Sequence, residues 1–136
     1  EETGLLLGTP GPWEDAPADW AAFAARGLVP SAERFRYVFR AVTPPGRTRR
    51  FDARFFLVPA TAVVGDAADF SLASDELRHL QWIALGEIRQ FDLPFITQLV
   101  LGELAPLLSD DQQQGPPATV PFVKNDDMVS GVTRIT

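Results

Sequence analysis

The chain has 136 residues, 46% of them hydrophobic, which suits one globular domain of modest core and leaves little room for a second. Its net charge of −6 would repel a nucleic-acid backbone, so nucleic acid is excluded as a bulk-electrostatic partner. With no cysteine there is neither a disulfide nor a thiolate metal site, and no run approaches the ~20 apolar residues of a membrane helix.

In chain order, Glu1-Glu2-Thr3-Gly4 followed by Leu5-Leu6-Leu7 predicts a helix end capped by Gly4 and then a buried strand, broken over Gly8 to Pro12. Between Asp15 and Leu28, the spacing of Trp20, Phe23, Ala24 and Leu28 predicts one short helix with Gly27 near its end. Phe35 to Val42 and Phe51 to Val58 are rich in aromatic and branched residues. They read as two strands of a hairpin joined through Thr43-Pro44-Pro45-Gly46-Arg47. Pro59 to Ser74 lacks a period and reads as a loop with at most one helical turn.

Leu77 to Leu85, centred on Trp82-Ile83, is expected to be a strand near its end. Asp92-Leu93-Pro94 then reads as an N-cap with proline in the first turn. It opens a helix whose apolar face carries Ile96, Leu99, Val100, Leu104 and Leu107, with Pro106 disturbing its last turn. Residues 110–117 form a polar linker. Val120 to Lys124 and Met128 to Ile135 are expected to pair as a terminal hairpin across Asn125-Asp126-Asp127.

Positive charge is uneven: Arg47, Arg49, Arg50 and Arg54 fall close together, whereas Lys124 is the only lysine. Guanidinium groups grip phosphate oxygens through paired hydrogen bonds, so this group of four could hold substrate phosphates. The alternative, favoured for Arg47 and Arg49, is a solvated hairpin tip, with Arg54 paired to an acid such as Asp52 or Glu76. His79, the sole histidine, has no accompanying nucleophile pattern, and Trp13, Trp20 and Trp82 read as core or pocket wall.

Glu1-Glu2-Thr3-Gly4-Leu5 is similar to the closing end of the Nudix box, the metal-binding motif of a family of pyrophosphohydrolases. Arg50-Phe51-Asp52-Ala53-Arg54-Phe55-Phe56-Leu57 resembles the strand after the hairpin in the branch that contains coenzyme A diphosphatases. Asp75-Glu76-Leu77, Leu80-Gln81-Trp82-Ile83 and Leu93-Pro94-Phe95-Ile96-Thr97 resemble later stretches of the same domain, in the same order. Read this way, the chain opens inside the motif helix.

The resemblance implies an α/β fold: a Nudix-type mixed sheet flanked by helices, an α/β/α sandwich incomplete on its N-terminal side. All 136 residues would then belong to the C-terminal part of one domain. It implies Glu1 and Glu2 as ligands of Mg²⁺ or Mn²⁺, with Glu2 and Glu76 in catalysis and Arg50 and Arg54, in the family-like strand, as substrate-binding candidates. Carboxylates crowded on one helical face repel by about 4 kcal/mol at 4 Å and an effective dielectric near 20, so they become favourable with a divalent ion between them. Gln81 stands where other members carry an acid before the tryptophan, and an amide cannot act as a base.

The function implied is Mg²⁺-dependent cleavage of a nucleoside diphosphate linked to another moiety, of coenzyme A or ADP-ribose type, in the cytoplasm. The alternative is a Nudix-like binding or assembly module without chemistry. The isolated chain is expected to be inactive. An incomplete sheet is expected to pair with a second copy or with a retained upstream fragment.

Overall fold

The computed structural model describes residues 2–109, 117–126 and 129–136. It is a mixed α/β structure with two sheets and few helices, and the chain forms two compact units. Unit one comprises Glu1–Phe35 and Val58–Ile83; unit two comprises Arg36–Leu57 and Ala84–Thr136.

Unit one is built on a short ribbon. Strand β1 (Gly8–Pro10) pairs antiparallel with β2 (Leu28–Pro30), in the register Gly8 to Pro30 and Pro10 to Leu28. Between them lie a 3-10 turn at Ala18–Trp20 and one turn of helix, α1 (Ala21–Ala24), where the helical spacing was expected. The aromatic rings of Trp13, Trp20 and Phe23 meet in sequence, tilted by 49° and 51°, with centroids 6.1 and 5.4 Å apart. The ribbon corrects the expectation of a break over Gly8 to Pro12. Proline is compatible with a two-stranded ribbon, because half of its amides need no ladder partner. Leu5 to Leu7, expected to be a strand, has no regular structure. Leu6 is nevertheless buried, and its carbonyl accepts from Val64 N–H at 2.9 Å.

Leu77 to Leu85 is not a strand either. His79 adopts a left-handed backbone (φ 59°), which ends any extended run, and Trp82 is 59% exposed. Trp82 is held instead by its indole N–H, which donates to the Ala67 carbonyl at 2.9 Å. The loop from Pro59 contains one 3-10 turn, Ala60–Ala62, as its composition predicts.

Unit two carries the larger sheet. Strands β3 (Arg36–Val42) and β4 (Asp52–Leu57) form the predicted antiparallel hairpin. A 3-10 turn over Leu85–Gln90 precedes α2 (Phe95–Ser109), and β5 (Val120–Asp126) and β6 (Val129–Ile135) close the chain as an antiparallel pair. The order is β4-β3-β5-β6, with β3 and β5 parallel in the register Arg40 to Phe122. The expected terminal hairpin is therefore present, while Asp127 and Met128, like residues 110–116, lie outside the described residues.

Helix α2 opens three residues after Asp92, so the expected cap is displaced. Gln98 N–H donates to the Pro94 carbonyl and the Gln98 side chain to the Leu93 carbonyl. Its inward face brings Val100 onto Phe39, Ala41 and Val123 of the sheet, with Ile96, Leu99, Leu104 and Phe55 packed around them. Phe39 and Phe55 meet edge to face at 5.8 Å. No helix among the described residues is long and apolar enough to cross a membrane.

Candidate functional site

In unit one the two segments that carry the candidate acids meet. Gly4 lies in the left-handed region (φ 72°), the conformation that ends a helix. A side chain there would come within 2.6 Å of the Leu72 carbonyl carbon and the Ala73 nitrogen. Only glycine permits this approach. Glu2 stands two residues before that contact and Glu76 three residues after it, and both are exposed. Glu1 lies outside the described residues. The structure gives no helix over Glu2, Thr3 and Gly4, which corrects that part of the sequence reading. Among the described residues, no three of His, Cys, Asp and Glu gather as a metal cage.

Unit two carries the arginines, and here the hairpin decides their roles. Arg40 and Arg54 face one another across β3 and β4, an unfavourable like-charge pair on its own. Asp52 resolves it by accepting two hydrogen bonds from Arg40, at 2.8 and 2.7 Å, with Arg54 at 3.6 Å. The Asp52 carboxyl is held below its ordinary pKa chiefly by the Arg40 hydrogen bonds, and Arg40 is raised by the same contact. The Arg40 guanidinium also lies over the Phe122 ring, 4.9 Å from its centroid. Arg54 thus has the acidic partner that the solvated-tip alternative named. Arg50 donates to the Thr43 carbonyl at 3.2 Å and helps close the hairpin.

Two features escaped the sequence. Arg36 is partly buried, and its Nε and one Nη have no hydrogen-bond partner among the described residues. Nothing in a lone Arg at a strand start signals this. The second is an open cleft of about 660 Å³ in unit two, between the sheet and the first turns of α2, within the range of small-molecule sites. Its walls are apolar: Ala41, Phe55 and Val123 form the floor, and Phe51, Phe95 and Val132 the mouth. Phe95 is 72% exposed and Phe51 64%. Among the described residues, Arg47 is the one charged residue in the lining. Its signal in the sequence was the excess of exposed aromatics beside an arginine cluster, legible only once the hairpin and helix are placed.

Comparison with family models, with curated proteins and with solved structures returns no match in any of the three.

Proposed function

We propose that the chain belongs to a Nudix-type hydrolase that cleaves the phosphoanhydride bond of a nucleoside diphosphate linked to another moiety, of coenzyme A or ADP-ribose type. The observation that carries this reading is Gly4. A glutamate pair followed by a glycine in the left-handed conformation is the expected finish of the metal-binding motif, and the backbone that Gly4 abuts leads directly to Glu76. The mixed sheet with α2 packed on it is compatible with the same domain.

Glu1 and Glu2 would hold Mg²⁺ or Mn²⁺. Magnesium is commonly bound through one or two carboxylates together with water and substrate phosphates, so this donor set suits it. When bound, the ion supplies charge neutralisation at the phosphates and a more acidic water. Glu76 would accept a proton near that site, and Arg50 and Arg54 would hold substrate phosphates by exchanging their present partners for the ligand. A cytoplasmic address and pairing of copies through the sheet edges β4 and β6 complete the proposal.

The test is hydrolysis of coenzyme A and of ADP-ribose, with and without Mg²⁺, by a protein in which a helix bearing an Arg-Glu pair precedes Glu1. Glu2→Gln should lower kcat roughly a hundredfold or more, and Arg54→Ala should raise KM. Unchanged rates in Glu2→Gln and Glu76→Gln would reject the assignment. A second reading, a Nudix-like binding module without chemistry, is favoured by the apolar cleft of unit two. Absence of turnover in that assay, together with saturable binding of an apolar ligand in the cleft, would select it.

A further inference from the structure

We propose that the cleft between α2 and the sheet of unit two binds a monoanionic amphiphile: an apolar body inserted between helix and strands, with one carboxylate or sulfonate at Arg47. The inference rests on the cleft alone and stands apart from the hydrolase reading.

Three observations carry it. First, the site is concave and of ligand size, about 660 Å³, and it is bounded by four strands and a helix of one unit. Its floor is continuous with the core, since Ala41, Phe55 and Val123 also pack under Val100. A ligand body there would extend that packing and cover Phe51, Phe95 and Val132, which otherwise face water.

Second, the charge in the lining has one sign and one position. Among the described residues Arg47 is its single charged residue and no acid lines the cleft, in a chain whose net charge is −6. Arg47 forms no ion pair among the described residues, whereas Asp52 already engages Arg40 and Arg54 on the same hairpin. A cationic amphiphile would find no partner among the described lining residues, and a polyanion would bring more charge into apolar surroundings than one guanidinium can match.

Third, the charged end is built. Thr43 N–H donates to the Phe51 carbonyl at 2.9 Å, Phe51 N–H donates to Thr43 Oγ1 at 3.0 Å, and Arg50 donates to the Thr43 carbonyl. These three bonds close the hairpin immediately around the turn that carries Arg47. They hold Phe51 as a wall at the same end. The geometry therefore couples an apolar body to an anionic head at one fixed end of the cleft.

The experiment is a titration of the isotopically labelled 136-residue chain with decanoate, followed by amide chemical shifts below the micellar concentration. Decyltrimethylammonium, with the same tail and opposite charge, is the control. Saturable shifts confined to Thr43, Phe51, Phe95, Leu99 and Val132 are expected, with decanoate the tighter ligand. Arg47→Glu lies in an exposed turn and should fold unchanged. It should weaken decanoate roughly five- to tenfold, as loss of one charge-assisted hydrogen bond implies. Val132→Trp, at the exposed mouth, should abolish binding while circular dichroism stays native.

Equal affinity for the two amphiphiles, or unchanged affinity in Arg47→Glu, would overturn the proposal. So would a cleft already occupied by a second copy, seen as a doubled mass with the same resonances broadened in the free protein. None of these outcomes bears on Glu2, Glu76 or magnesium-dependent turnover.

Discussion

Gly4 and Asp52 show how much a single position can decide. A side chain at residue 4 meets two penalties together: a left-handed backbone and a collision at 2.6 Å with main-chain atoms of Leu72 and Ala73, which cannot rotate away. Gly4→Ala should therefore destabilise by roughly 2–4 kcal/mol, the sum of the backbone term and overpacking, measured as a fall in the denaturation midpoint. An unchanged midpoint would mean that the two segments are not in contact. Asp52 makes a different kind of prediction. Its folded pKa lies below the unfolded one because Arg40 donates two hydrogen bonds to the carboxylate. The stabilisation is thus fully present above the unfolded Asp value of about 3.9 and is lost as pH falls through the folded pKa. The stability difference between the wild type and Asp52→Asn should shrink on acidification through that window. A difference independent of pH would show that the ion pair contributes nothing.

Among the elements, the β3–β4 hairpin was the most legible, because its proline and glycine turn is flanked by aromatic and branched residues whose pattern admits no competing helix. Helix α2 was legible through a different pattern, the helical spacing of Ile96, Leu99, Val100 and Leu104. What misled was local chemistry that tertiary context overrules. Thr9 between Gly8 and Pro10 looks like a breaker, yet it pairs with Val29, since a two-stranded ribbon leaves one edge free of ladder demands. Trp82-Ile83 looks like strand interior, yet the left-handed His79 and the bond from Trp82 to Ala67 take that segment elsewhere. The site was legible in part. The sequence singled out the acids and arginines, but only the register shows Arg54 opposite Arg40 with Asp52 between them. Pro106 was expected to disturb α2, and the helix nonetheless runs through it to Ser109. Its ring removes the hydrogen bond that residue 106 would donate to the Gly102 carbonyl, at an exposed position. Pro106→Ala should stabilise by roughly 1–3 kcal/mol, read as a raised Tm. A lowered Tm would show that the ring makes a packing contribution larger than the lost bond.

The whole chain passes between its two units at Phe35, Val58 and Ala84, so neither unit is one continuous stretch of sequence. A chain ending at Ile83 keeps the β3–β4 hairpin and loses α2 and β5, the elements that cover Phe39, Ala41 and Phe55. That fragment keeps unit one whole, so a transition of unit one should persist, while the stranded hairpin should bind a dye specific for exposed apolar surface. A fragment 1–83 that binds no such dye would contradict the partition. The central seam of the larger sheet has a further meaning for the order of events. Arg40 finds Phe122, its parallel partner, only across most of the molecule's length, whereas each flanking hairpin closes locally. Entropy favours the near pairings first and leaves that distant join for the end. On a ribosome, the hairpin emerges long before the strand that completes it, and its apolar face must wait in the company of chaperones or of its own kind until β5 arrives.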